Sequence, residues 1–193
     1  MTRENSKDRI LKAAEELFSR NGFDGTSVDR IAEEATVNKA LIYYYFKNKE
    51  DIIVSLFEIV QDDLTEYLKK EFESNDQNIS FEKKIKKEIE YLKGRKKIIS
   101  LLLMESFKDK NADFLFKCAE IHFNSDTMYS KKDLNNPQMK KLFISEFFTG
   151  FIPILAFITY EDEWCKYFNC KGEKLSDLFL DALLESHFTS HTK

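Results

Sequence analysis

The chain has 193 residues, 42% of them hydrophobic and 33% charged, with five glycines, two prolines and a formal net charge of −4. That length suits one domain, or a small module joined to a larger one, and that apolar fraction can bury a core. Scarce glycine and proline exclude a turn-rich β architecture and favour helices on short connections.

The first element is announced by Ile10, Ala13, Ala14, Leu17 and Phe18, which fall on one stripe of a helix. Asn21-Gly22 ends it, because glycine accepts the left-handed backbone that a helix C-terminus asks for. Thr26 is the expected N-cap of a second helix, with Asp29 as a short capping-box partner. Val28, Ile31, Ala32 and Ala35 give that helix its apolar stripe. About three residues later Asn38 is placed to cap a third helix, which runs through Tyr43, Tyr44 and Tyr45 to about Phe46. A turn this short does not let the helices lie antiparallel, so they cross steeply and the third stands out as a ridge. By helical phase Val37, Ile42 and Phe46 point inward, Tyr45 lies sideways toward the first or fourth helix, and Tyr43 and Tyr44 lie off the inward face.

A fourth helix begins at Asn48 and continues over 50–73, with Ile52, Leu56, Ile59, Val60 and Leu64 on its stripe. Further helices are expected over 80–93, 96–108, 112–124, 137–160 and 174–189, separated by polar connections at 74–79, 125–136 and 169–173. The centre of 96–108 is apolar nearly all round and should be buried. The Lys/Glu-rich run 82–97 reads as a solvated face. Asn136 and Pro137 suit the N-cap and first position of their helix. Residues 142–160 are long enough to be tested as a membrane span, but Glu146 and Pro153 interrupt them, so a buried or subunit-interface helix is expected and no membrane partner.

Three cysteines, Cys118, Cys165 and Cys170, lack CxxC spacing, and the polar start MTRENSKDRI carries no apolar leader. A reduced, cytoplasmic protein with packing cysteines is the expectation. His122, His187 and His191 have no metal-site spacing, so no metal and no cofactor are expected. The charge is uneven. Residues 1–49 hold nine Lys/Arg and eight Asp/Glu, whereas 50–193 hold 21 and 26. A local basic face decides phosphate binding, so the acidic total does not exclude DNA.

The stretch "ILKAAEELFSRNGFDGTSVDRIAEEATVNKALIYYYFKNKEDI" within residues 9–55 resembles the DNA-binding domain of the TetR family of bacterial transcriptional regulators. The shared pattern is a helix ending in an aromatic, an N-G-[FY] stop, a T-[ST]-x-x-x-I-A-x-x-A helix, then Y-x-Y-F and a K-x-K-[ED] entry into helix four. The resemblance covers about a quarter of the chain. It implies an all-α fold, with a helix-turn-helix domain at 1–49 (the motif itself at about 26–46) and a helical ligand-binding and dimerisation domain at 50–193. Thr36 departs from the pattern, standing where glycine usually sits, and Leu41 stands where a small or hydroxylated residue is common.

A phosphate-binding surface needs donors fixed by rigid helices. Thr26 and Ser27, at a helix N-terminus, and Lys49, in the first turn of helix four, offer them on either side of the third helix. By the resemblance these are anchors on the DNA backbone, which set register without reading sequence. The resemblance also places Tyr43 and Tyr44 at the backbone, Tyr43 near thymine methyls. Asn38, Lys39, Ala40 and Leu41 form the exposed first turn that would read base edges: lysine can donate to guanine, and Ala40 or Leu41 can meet a thymine methyl.

For the body, the resemblance implies a homodimer formed through 137–160 and 174–189 and a small-molecule inducer. Met104, Phe107, Phe114, Phe123, Phe147 and Phe151, with Phe116, Phe143 and Met128, are candidates to line an apolar pocket for a hydrophobic or aromatic effector. The expected function is a ligand-responsive repressor, not an enzyme, that binds a palindromic double-stranded operator. Two other readings stand beside it: a DNA-bound accessory factor without a ligand, and an all-α enzyme built on Cys118 and His122, four residues apart.

Overall fold

Asn5 opens α1 (Ser6–Asn21) by accepting the Asp8 backbone N–H on its side-chain oxygen at 3.0 Å. The computed structural model describes residues 5–73, 80–108, 112–125, 135–170 and 175–188, and among these the regular structure is helical, with no strand. Met128 and most of the expected polar connections lie outside the described residues. Gly22 closes α1 with φ +71° and ψ 174°, a conformation essentially reserved for glycine, and its N–H bonds the Phe18 carbonyl.

Helix α2 (Val28–Glu34) is capped by Ser27, whose hydroxyl accepts the Arg30 N–H at 3.2 Å. The cap expected at Thr26 thus falls one residue later. Thr26 is fully buried, and its hydroxyl instead donates to the Gly22 carbonyl at 2.8 Å. The turn into α3 (Lys39–Tyr45) is a Schellman motif: Val37 N–H bonds Ala32 O and Thr36 N–H bonds Glu33 O. Thr36 occupies the left-handed position of that motif, with φ 53°. The sequence position where glycine is usual therefore keeps the glycine conformation, held here by a β-branched residue. Asn38 caps α3 as expected, accepting the Leu41 N–H at 2.8 Å.

Helix α4 (Lys49–Glu73) starts after Asn48, which accepts the Asp51 N–H at 2.9 Å. It is followed by α5 (Phe81–Lys93), α6 (Lys96–Ser106) and α7 (Asp113–Ser125). The buried residues form one continuous core, from Ile10 and Ala14 through Phe46, Phe57, Ile99 and Leu103 to Ile158 and Leu183. Ile98, Ile99, Leu102 and Leu103 of α6 are buried as expected, but Met104 faces out. The run 82–97 is not a wholly solvated face, since Glu88, Ile89 and Leu92 are buried; the charges on either side of them set the composition, and the period sets the burial.

Asn136 and Pro137 begin α8 (Pro137–Ser145) as expected. The helix does not stop at 160. It widens to π-helical pitch over Glu146–Phe151 and continues as α9 (Ile152–Phe168), and α10 (Leu175–Phe188) follows. Two local causes explain the widening. Pro153 has no N–H and crowds the carbonyl four residues back, and the Thr149 hydroxyl donates to the Ser145 carbonyl at 2.7 Å. Pro137–Phe168 is long and apolar enough, by length and composition, to cross a membrane, and a third of its most apolar window is buried within the protein. On the buried side Phe147, Phe151, Leu155 and Ile158 point into the core; on the outer side Ile144, Phe148, Tyr160, Trp164, Tyr167 and Phe168 are exposed.

Candidate nucleic-acid interface

Three helices make a platform because Ile10, Ala14 and Leu17 of α1, Ile31 and Ala32 of α2 and Ile42 of α3 are buried against one another, with Phe46 under α3. Val37 packs against the same cluster. With that face committed, the opposite face of α3 stands in solvent. Tyr43 is 52% exposed and Tyr44 78%. Asn38, Lys39 and Ala40 are also exposed and Leu41 is half-buried, so the first turn of α3 is presented as a unit. Tyr45 lies between the two classes, 38% exposed, its ring edge-on to Tyr44 at 5.1 Å and 6.2 Å from Phe46.

Several of these groups already have partners. The Lys39 ammonium donates to Asp29 on α2 at 2.8 Å, and that hydrogen bond raises its pKa above the ordinary lysine value. Asn38 spends its side-chain oxygen on the cap, which leaves its amide N–H groups to donate outward. Ser27 accepts from the backbone and keeps its hydroxyl proton to donate.

Two expected backbone anchors are placed differently. Thr26 has no free donor: its hydroxyl bonds Gly22 O, and its N–H bonds Phe23 O at 3.1 Å. Burial under the α1–α2 turn makes it a structural residue. Lys49 turns inward as well. Its ammonium donates to the Phe23 carbonyl at 2.8 Å and the Thr26 carbonyl at 2.9 Å, and it sits 4.1 Å from the centre of the Phe23 ring. It ties the start of α4 to the α1–α2 turn and keeps one N–H for an outside acceptor. The exposed donors beside this turn are Ser27 and Lys47, the latter's backbone N–H bonded to Asp51 at 3.1 Å.

The same turn is held from below. Lys108, just past α6, bonds Asp24 at 2.7 Å and Glu105 at 2.7 Å. Sequence reasoning missed this link, because 84 residues separate Lys108 from Asp24 and nothing in their neighbourhoods pairs them. The Lys108 hydrogen bond holds the Asp24 carboxyl below the ordinary aspartate value, and Asp24 and Glu105 together raise Lys108.

In the body, Phe114, Phe123, Phe147 and Phe151 are buried, whereas Met104 and Phe107 are 53% and 74% exposed and stand in solvent, not among the aromatics. Phe123 contacts Phe143 at 5.0 Å, and Phe151 meets Phe147 at 5.9 Å and Phe57 at 6.2 Å. His122 lies 5.4 Å from Phe151; its Nδ1 is 3.2 Å from Gln61 Oε1 and 3.7 Å from Glu88 Oε1. A polar patch from three helices thus borders the aromatic cluster, which composition alone did not reveal. Cys118 is buried, and burial pushes its thiol far up, so the Cys118–His122 pair offers no nucleophile. No cluster of metal-ligating side chains occurs among the described residues.

Residues 10–56 match the family model for bacterial regulatory proteins of the tetR family. This N-terminal segment is of the tetR type. Among curated relatives, it is 49% identical over 49 residues to the fatty acid metabolism regulator protein of Bacillus subtilis strain 168, spanning 25% of each chain. It is 37% identical over 67 residues to the HTH-type transcriptional regulator QacR of Staphylococcus aureus, spanning 35% of this chain and 36% of that one. The matched segments thus cover a quarter to about a third of these relatives' own lengths. Over nearly the whole chain the fold recurs in solved structures. The fatty acid degradation regulator FadR from Bacillus halodurans superposes with a TM-score of 0.59 at 20% identity, covering 95% of this chain and 97% of that one. FadR from Bacillus subtilis, in complex with stearoyl-CoA, gives 0.55 at 23% identity over 91% and 96%. The tetR-family match runs from α1 into the first two turns of α4, so it contains the platform, the exposed ridge and the Lys49 tie.

Proposed function

We propose that the chain is a DNA-binding transcriptional regulator in which the exposed first turn of α3 enters the major groove of an operator duplex. The observation that carries this reading is the split of α3: Ile42 is locked into the platform, while Tyr43 and Tyr44 are left in solvent beside Asn38, Lys39 and Ala40. A monomer gains nothing from bare tyrosines there; a groove gives their rings apolar contact and their hydroxyls a phosphate. Ser27 and the remaining N–H of Lys49 flank the ridge as backbone donors, with residues 1–49 as the reading module and 50–193 as the body.

Two ridges on a two-fold dimer would meet half-sites about one helical turn, or a multiple, apart. The outer apolar face of α8 and α9, with Leu178 and Ala182 of α10, is the surface proposed to form that homodimer. An apolar face of this extent favours an interface between subunits over open solvent. A protein that binds an operator works where the DNA is, which places this one in the cytoplasm of a bacterial cell.

The effector site is proposed at Phe123, Phe143, Phe147 and Phe151, bordered by Gln61, Glu88 and His122. Rings suit a hydrophobic or aromatic ligand, and π-helical stretches often sit at functional sites. The regulators of fatty acid metabolism among the similar proteins, one solved with stearoyl-CoA, agree with an apolar effector. Occupancy would shift α6 and α7, and the Lys108–Asp24 link would carry that shift to the α1–α2 turn, changing the spacing of the two ridges. Repression is lost by as much as the ligand prefers the altered state, typically about 1–3 kcal/mol of coupling.

The test is a selection from random duplexes with the full chain. A recovered palindrome supports the reading. Recovery of no common sequence, with binding independent of sequence, favours the accessory-factor alternative.

A further inference from the structure

Helix α9, like α2, ends in a left-handed turn. Asn169 has φ 53° and ψ 44°, its N–H bonds the Cys165 carbonyl, and the Cys170 N–H bonds that carbonyl too at 3.0 Å. In such an ending the helical residue that accepts the 6→1 bond and the first residue beyond the left-handed one bring their side chains into contact. Those two residues are Cys165 and Cys170. Five positions apart in sequence, they are drawn toward each other by the 3.0 Å backbone bond between them, and a disulfide needs Cα atoms roughly 4.4–6.8 Å apart.

Neither thiol is a packing residue in the sense expected from composition. Cys118 is buried in the core, but Cys165 and Cys170 are both half-buried. Cys165 also lines an open cleft of about 550 Å³ between α5, α9 and α10, walled by Lys86, Lys93, Glu161 and Asp177. A small polar oxidant can reach it there.

We propose that Cys165 and Cys170 form a dithiol site that peroxide oxidises to an intramolecular disulfide. One sulfur attacks a peroxide oxygen and the O–O bond breaks. The first water leaves with that thiol's proton, and a sulfenic acid remains. The second sulfur attacks the sulfenic sulfur, the S–S bond forms, and the second water carries off the hydroxyl and the other thiol's proton. Two electrons pass from the sulfurs to the peroxide. The site stands apart from the nucleic-acid reading and does not depend on it.

The experiment uses the full reduced chain, freed of reductant, treated with hydrogen peroxide, then denatured and alkylated with N-ethylmaleimide. Trypsin cuts after Lys166 and Lys171, so the proposed bond joins peptide 142–166 to peptide 167–171. The expected result is that linked pair in protein that stays monomeric on a non-reducing gel, with one thiol, Cys118, still alkylated. Cys165→Ser and Cys170→Ser should each abolish the linked pair, and Cys118→Ser should retain it; the wild-type map stands by itself if that core variant fails to fold. Covalent dimers, over-oxidation without a link, or three alkylated thiols at every peroxide dose would each overturn the proposal.

Discussion

The Lys49 ammonium lies 2.9 Å from the Thr26 carbonyl oxygen, joining the first turn of α4 to the turn between α1 and α2. With the second bond to Phe23 O, the cation expected to anchor on DNA also holds together the platform from which α3 projects. Lys49→Ala should therefore cost stability, about 1–3 kcal/mol for hydrogen bonds to a charged group, or a Tm lower by roughly 2–4 °C per kcal/mol at this size. DNA affinity should fall for all sequences, because the platform loosens. A variant that melts like the parent while losing operator affinity would show that the inward bonds do not matter.

Thr36 is strained where it stands. A non-glycine residue in the left-handed region costs roughly 1–2 kcal/mol, against about 0.5–1 kcal/mol of extra chain entropy for glycine. Thr36→Gly should raise stability by about 0.5–1 kcal/mol and leave operator affinity near the parent's. A lower melting temperature for this variant would contradict the assignment.

Lys39 is paired with Asp29 across the α2–α3 turn, and both are exposed, so breaking the pair should leave stability nearly unchanged. The DNA readouts should separate. Asp29→Asn removes a negative charge beside the phosphates and frees Lys39, so affinity should rise for specific and random duplexes alike. Lys39→Ala should relax preference at one base position by about 1–3 kcal/mol. Equal sequence preference in the Lys39 variant and the parent would remove lysine from the reading surface.

The platform, its caps and the inward–outward split of α3 were legible in the sequence because each is local: a period of 3.6, a cap, a glycine stop. Ser27 rather than Thr26 caps α2, since two adjacent hydroxyls compete for one role and only packing chooses which is buried. The inward turn of Lys49, the Lys108–Asp24 link and the Gln61–Glu88–His122 patch were not legible, because each joins helices distant in sequence. Local pattern also failed at 146–151, where Pro153 and Thr149 leave the apolar period intact while changing the pitch beneath it.

Lys108 tests the coupling. Lys108→Ala should leave operator binding within a few-fold of the parent yet weaken release by any effector that thermal-shift screening identifies. Because Lys108 holds the Asp24 carboxyl below its ordinary value of 3.8, the link's contribution is present above that value. It is lost only as pH falls through the lowered one. Effector response should thus be insensitive to pH from neutrality to about pH 5 as far as this pair is concerned. Unchanged effector release in the variant would assign the coupling elsewhere.

The proposed subunit face is checked by charge. Trp164→Glu or Leu178→Glu places a carboxylate on the outer apolar surface of α9 or α10, where both parent residues are more than half exposed. Each should shift the protein from dimer to monomer in sedimentation without lowering its melting cooperativity. Persistence of the parent's sedimentation in both would move the interface to another surface.

The most direct measurement is fluorescence anisotropy of the selected operator titrated with the parent and with Tyr44→Ala, each against a scrambled duplex. Tyr44 is 78% exposed, so its truncation leaves the fold intact. If the α3 ridge meets DNA, the parent binds the operator more tightly than the scrambled duplex and the variant loses about tenfold or more, roughly 1.4 kcal/mol. Identical curves for parent and variant on the operator would contradict the account.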